Sequence, residues 1–185
     1  PCGEAVRAGG HHVTVQQAMQ LAGVIPPHVS VVGLFVNPDA SAVREVLQHI
    51  PLAILQFHGE ELPEFCAQFG LPYWKAIRVK PGVDLLQYAI RYKEAQALLL
   101  DAYVEGTHGG TGASFDWTLI PRELPLPVIL SGGLHAGNVA QAIRQVRPWA
   151  VDVSSGVEAE KGIKDEEKIS AFIKEVNRTD VQLSR

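Results

Sequence analysis

A lone acid at the end of an apolar run is the first feature of this chain that could do chemistry. In the stretch ALLLDAYVEGTHGGTGASFDW, from Ala97 to Trp117, Asp101 closes a run of aliphatic residues and the glycine-rich Gly109-Gly110-Thr111-Gly112 follows. Apolar surroundings penalise the charged form of a carboxyl group, so an acid so placed can donate a proton. Glycines let backbone N–H groups approach an anion closely. The same residues also fit an acid that caps a strand end and a glycine loop that is only a turn. Two later segments join serine to glycine: Ser131-Gly132-Gly133, with Asn138 close behind, and Ser154-Ser155-Gly156. Such loops suit a phosphate better than a purely helix-packing role for the glycines. No Gly-x-Gly-x-x-Gly follows a strand and no Gly-Lys-Ser/Thr occurs, which argues against NAD and ATP.

Other reactive side chains carry weaker signals. His58, in Gln56-Phe57-His58-Gly59-Glu60, follows an apolar run directly and can face a ligand, although isolated histidines are more often plain polar residues. Lys75 and Arg78 lie three apart in one strand pattern and so point to opposite faces. Arg78 can line a binding mouth, while Lys75 fits a pairing with a neighbouring acid. Adjacent histidines such as His11-His12 seldom face one ion and no third ligand stands nearby, so no metal is expected. Cys2 and Cys66 make neither a disulfide framework nor a zinc pattern. Cys66 shares an apolar helical face with Leu62, Phe65 and Phe69, which suits buried packing.

These residues need elements to position them. At 185 residues and 46% hydrophobic content, the chain suits a single domain, 1–185, with a sizeable core. The 16 basic and 20 acidic residues give a net charge of −4 without a dense basic cluster, against nucleic acid or an anionic membrane as partner. No apolar run approaches the ~20 residues of a membrane span, and the start lacks signal-peptide character. A cytoplasmic protein is expected, with monomer and homodimer both open.

Six apolar runs begin near Val29, Ala53, Tyr73, Ala97, Pro127 and Ala150 at the spacing of βα units, each suited to a parallel strand covered on both faces. Helical patterns fill the intervals. Thr14 and Gln17 form a capping-box pattern for a helix to about Ala22. Asp39 can cap a helix carrying Val43, Val46, Leu47 and Ile50, and Pro63 suits a first helical turn. Val139, Ile143 and Val146 make one stripe; Ile169, Phe172, Ile173 and Val176 make another. The segment between Asp116 and Pro121 is too short for a full helix, and the polar tail, 178–185, is expected to fray. Strict alternation implies an α/β fold, either a (β/α)8 barrel or an open doubly wound sheet. Asn37, His58, Lys80, Asp101, Ser131 and Ser154 close successive runs, which favours a barrel whose loops share one mouth, with phosphate at the last two. Only six strands are visible, so the barrel is expected to be incomplete.

In order and approximate spacing, the motifs resemble phosphoribosylanthranilate isomerase, the tryptophan-pathway barrel, from about Val13 to Val176. They are Gln56-Phe57-His58-Gly59-Glu60, Lys75-Ala76-Ile77-Arg78-Val79, Leu99-Leu100-Asp101-Ala102, Gly109-Gly110-Thr111-Gly112 with Phe115-Asp116-Trp117, Ser131-Gly132-Gly133-Leu134 with Asn138-Val139, and Val151-Asp152-Val153-Ser154-Ser155-Gly156-Val157-Glu158.

The resemblance implies an Amadori rearrangement of N-(5-phosphoribosyl)anthranilate to the 1-deoxyribulose 5-phosphate, without a cofactor. Asp101 matches the family's general acid. Gly132, Gly133, Ser154, Ser155 and Gly156 match its phosphate site, and the loop carrying Gly110 and Gly112 would close over the substrate. The family's general base is a cysteine in a Lys-Ile-Cys-Gly-type motif on the first strand, and a Ser-Pro-Arg arginine holds the anthranilate carboxylate. Here Cys2-Gly3 is the only counterpart of the cysteine motif and His11 stands where the arginine is expected. Residues 1–12 are therefore an atypical N-terminus, and most of the first two βα units are expected to be missing. That loss would leave two strand edges unpaired. It also motivates an alternative expectation: an impaired relative that binds phosphorylated ligands without turnover.

Overall fold

The computed structural model describes residues 7–8, 11–102 and 116–183. An antiparallel pairing of β1 (Arg7–Ala8) with β2 (His11–His12) comes first. There follow α1 (Val15–Ala22), β3 (Val32–Phe35), α2 (Ala40–His49), β4 (Ile54–Phe57), α3 (Pro63–Ala67), β5 (Tyr73–Val79), α4 (Leu85–Arg91) and β6 (Ala97–Ala102). A 3-10 turn, Trp117–Leu119, precedes β7 (Val128–Leu130), α5 (Val139–Val146) and β8 (Ala150–Val151); a second 3-10 turn, Ser155–Val157, leads into the hairpin strands β9 (Glu158–Glu160) and β10 (Ile163–Lys164), and α6 (Glu166–Leu183) closes the chain's described part.

The six expected strands are present, and they make one sheet in the order β3-β4-β5-β6-β7-β8. Spatial order therefore follows chain order without reversal. A doubly wound sheet would change direction at a switch point. The succession is that of a (β/α)8-type barrel represented by six parallel strands, and each strand delivers its C-terminal residues to the same edge of the sheet.

The chain divides into two compact units, Pro1–Ala76 with Arg91–Leu98, and Ile77–Ile90 with Leu99–Arg185. In the first, the core is aromatic. Phe57 contacts Phe35, Phe65, Phe69 and Tyr73 with ring centroids 5.9 to 6.1 Å apart. Parallel register sets Phe35 beside Phe57 and Phe57 beside Lys75. Helix α2 adds Val43 and Val46, and Cys66 is fully buried as free thiol. In the second unit the core is mainly aliphatic: Leu130, Leu134, Val139, Ala142, Ile143, Val157 and Phe172, with Trp117, Ile120, Ile169 and Val176 packed against them.

Local signals hold in most places. Thr14 caps α1 reciprocally, Gln17 N donating to Thr14 Oγ1 and Thr14 N donating to Gln17 Oε1, and the helix stops at Ala22. Pro63 opens α3. Asp39 occupies the N-cap of α2 without a side-chain cap bond. Three expectations are corrected. Helix α6 continues to Leu183 instead of fraying after Asn177, because Thr179 is fully buried and its hydroxyl donates to Glu175 O at 2.8 Å. Ile173 leaves the expected stripe and is exposed, since a helical face narrow enough to pack on α5 takes Ile169, Phe172 and Val176. Leu62 is also exposed, lying at the N-cap outside the short α3.

Candidate active site

In the second unit, three adjacent strand ends carry polar side chains. Aliphatic residues Ala97 to Leu100 are at most 1% exposed, and Asp101 follows them at 7%. The apolar run thus drives β6 inward and takes the carboxyl group with it. Ser131 N donates to Leu100 O, which sets Ser131 beside the Asp101 end of β6. Leu130 pairs with Val151, so Asp152 comes next to Ser131, and Ser131 Oγ donates to Asp152 Oδ2 at 2.8 Å.

The two serine-glycine loops are built from backbone. Gly132 and Gly133 adopt φ of 84° and 65°, the left-handed region that an L side chain resists. Asn138 braces this turn: its Nδ2 donates to Gly133 O and its Oδ1 accepts from His135 N, at 2.9 Å each. A Cβ on Gly156 would overlap Leu134 O, so only glycine lets the loop after β8 press against the loop after β7. This close approach sets the loop carrying Ser154, Ser155 and Gly156 against the segment that directly follows Gly132 and Gly133. Ser154 is tied further by the β9–β10 hairpin. Lys164 Nζ donates to Ser154 O at 2.9 Å and to Ser154 Oγ at 3.3 Å, while pairing with Glu158 Oε1 at 2.8 Å.

In the first unit, the loop ends after β3 and β4 hang on a buried charge network. Glu61 accepts from Asn37 N at 2.7 Å and from Gly59 N, and Lys75 Nζ reaches Glu61 Oε2 at 3.1 Å, Gly59 O at 2.6 Å and Phe57 O at 3.3 Å. Lys75 therefore does pair with an acid. His58 is half-buried, with Gln56 Nε2 3.2 Å from its Nδ1. Burial pushes the Cys66 thiol up to about 12, which makes it an inert packing group.

The chain matches a known family along residues 5–175, described as N-(5'-phosphoribosyl)anthranilate (PRA) isomerase. The chain belongs to the N-(5'-phosphoribosyl)anthranilate isomerase family. The isomerase of Nitrosospira multiformis is 61% identical over 165 residues, which cover 89% of this chain and 79% of that protein. The crystal structure of phosphoribosyl anthranilate isomerase from Thermotoga maritima is 38% identical with a TM-score of 0.81, covering 90% of this chain and 82% of that one. A phosphoribosyl anthranilate isomerase structure in complex with reduced 1-(o-carboxyphenylamino)-1-deoxyribulose 5-phosphate is 37% identical with a TM-score of 0.77, covering 90% and 80%.

Of the residues expected at the isomerase site, Asp101, Gly132, Gly133, Ser154, Ser155 and Gly156 fall at strand ends or loops of the second unit, as does Arg78 near the end of β5, half-buried. His58 falls at the end of β4 in the first. Cys2, Gly110 and Gly112 lie outside the described residues. Glu61 and Lys164 are not among the residues expected from the sequence, and Glu158 enters there only as the last residue of the motif that begins at Val151. Glu61 directly follows the quoted His58-Gly59-Glu60 motif, and Lys164 sits behind Gly162, whose φ of 83° marks a hairpin turn. Among the described residues, no group of three metal-ligating side chains occurs and no helix is long and apolar enough to cross a membrane.

Proposed function

We propose that this chain catalyses the Amadori rearrangement of N-(5'-phosphoribosyl)anthranilate to 1-(2-carboxyphenylamino)-1-deoxyribulose 5-phosphate, a step of tryptophan biosynthesis, with Asp101 as general acid. The observation that carries this reading is the placement of Asp101: an acid 7% exposed, directly after the buried run Ala97–Leu100, in the same unit as the two glycine loops that suit a phosphate.

The chemistry needs a proton donor at the furanose ring oxygen. Protonation there breaks the C1–O bond, and the anilino nitrogen lone pair forms the Schiff base. Removal of the C2 proton then gives an enolamine, which takes a proton at C1 as the C2 hydroxyl becomes the ketone. Anchoring the phosphate away from the reacting carbons holds the sugar in the geometry for both transfers. Asp101 supplies the first proton. On the family resemblance, Cys2 is assigned the base role and Gly110 and Gly112 are assigned to the substrate. His58 and Arg78 are assigned to substrate binding.

Steady-state fluorescence assay of N-(5'-phosphoribosyl)anthranilate turnover tests the assignment. Asp101→Asn, nearly isosteric, is expected to fold and to lose about 10²- to 10⁴-fold in kcat, the usual worth of a general acid. A variant with wild-type turnover would remove Asp101 from the mechanism. Full rate in Cys2→Ser would move the base elsewhere.

A further inference from the structure

The β9–β10 hairpin returns the chain to the loop it has just left. Gly162 turns it with a positive φ, and Gly162 N donates to Glu158 Oε2 at 3.2 Å. Asp165 N then donates to Val157 O at 2.8 Å, and Lys168 Nζ to Glu158 O at 2.7 Å. The hairpin is thereby fixed at both ends, and Lys164 is set against Ser154.

An ammonium group has three donors and no acceptor. In the 3.3 Å contact between Lys164 Nζ and Ser154 Oγ, the hydroxyl oxygen must therefore accept, and its own proton points elsewhere. Among the described residues no acceptor takes that proton, and Ser154 is exposed. Ser131 behaves differently, because its hydroxyl already donates to Asp152. Of the two strand-end serines, only Ser154 presents a hydroxyl proton to an incoming ligand. Accepting from a cation also polarises that hydroxyl and makes it a stronger donor.

We propose that Lys164 is a positioning residue for the phosphate end of the substrate, acting through Ser154 by turning its hydroxyl into a dedicated donor toward a phosphate oxygen. This rests on the reading of Ser154–Gly156 as part of the phosphate site. Glu158 holds the ammonium in place and balances its charge when no anion is bound.

Calorimetric titration of the full chain with reduced 1-(o-carboxyphenylamino)-1-deoxyribulose 5-phosphate and with its dephosphorylated form separates the possibilities. The wild-type protein is expected to prefer the phosphorylated form strongly. Lys164→Met should weaken that form by about tenfold, the scale of one charge-assisted hydrogen bond, and the dephosphorylated form by less than about twofold. A double variant, Lys164→Met with Ser154→Ala, should bind no more weakly than Ser154→Ala alone, because the lysine acts through the serine. Equal weakening of both ligands by Lys164→Met, or full additivity in the double variant, would overturn the inference. Where Lys164→Met does not fold, Lys164→Gln keeps a donor without the charge and should give an intermediate affinity; wild-type affinity would again overturn it. A wild-type protein indifferent to the phosphate would instead overturn the phosphate-site reading itself.

Discussion

Both units of this protein fix strand-end loops with an ion pair, and the two pairs have opposite characters. Lys75 and Glu61 lie 3.1 Å apart with both side chains 2% exposed. Lys164 and Glu158 lie 2.8 Å apart at 44% and 14%. Desolvating two charges is costly, so the buried pair persists only because carbonyl groups of Phe57 and Gly59 and backbone N–H groups of Asn37 and Gly59 complete its hydrogen bonding. Its value lies in geometry, since it ties three chain segments at one point. The exposed pair adds little to stability, as water competes for both partners. What it provides is an ammonium at a set place beside Ser154. The buried pair gives rigid support, and the exposed pair leaves its neighbour Ser154 open to water.

Breaking one partner of the buried pair is expected to have the largest effect on folding. Lys75→Met leaves Glu61 charged without its cation and should cost about 3–5 kcal/mol in urea denaturation. The double variant Lys75→Met with Glu61→Leu should recover part of that loss. Glu158→Gln, by contrast, should cost less than about 1 kcal/mol; similar losses at the two sites would dissolve the distinction.

Gly156→Ala comes next. The added methyl overlaps Leu134 O, a backbone atom that cannot rotate aside, so the loops after β7 and β8 must separate. A loss of about 3 kcal/mol is expected. Wild-type stability would show that these loops do not need their close approach.

A smaller effect appears with alkali. Burial raises the Cys66 thiol from 9.0 to about 12, and Tyr73 shifts in the same direction for the same reason. The unfolded chain therefore loses these protons first. Their contribution to stability is complete below pH about 9 and is lost as pH rises toward 12, because ν for the unfolded state falls below that of the folded state. Denaturation midpoints measured across this range should fall less steeply in Cys66→Ala. An unchanged slope would place the alkaline loss elsewhere.

The least effect is expected at Glu175 and Arg178 on α6, 2.7 Å apart. The bond from Arg178 holds the Glu175 carboxyl below its ordinary value, so its contribution is present above the unfolded pKa and fades as pH falls through the folded one. Salt screening should abolish the acid dependence traceable to Glu175→Gln. A salt-independent difference would mean that this surface pair is more than a local contact.

How far the sequence could be read follows from the range of each interaction. The capping box of Thr14 and Gln17 and the Pro63 start of α3 lie within three or four residues, and both were legible to the residue. The run beginning at Val29 overshot β3 by three residues, because Val29 N bonds Pro26 O in a turn that apolar content does not reveal. The end of α6 was misread for a related reason. Its last turns are polar in composition, and burial of Thr179 holds them. Glu61 gave no local sign, since its partners lie on three segments from Asn37 to Lys75.

The amino-acid sequence by itself determined the six apolar strands, the helices between them and the serial order of Asp101, the serine-glycine loops and their family, because strand and helix periods are written in neighbouring residues. The tertiary structure alone decided that spatial order follows chain order, that Gly156 presses on Leu134, that Lys75 finds Glu61, and that Lys164 returns to Ser154. Those facts depend on where backbone atoms meet across long separations in the chain, and hydrophobic patterning constrains burial without naming the partner.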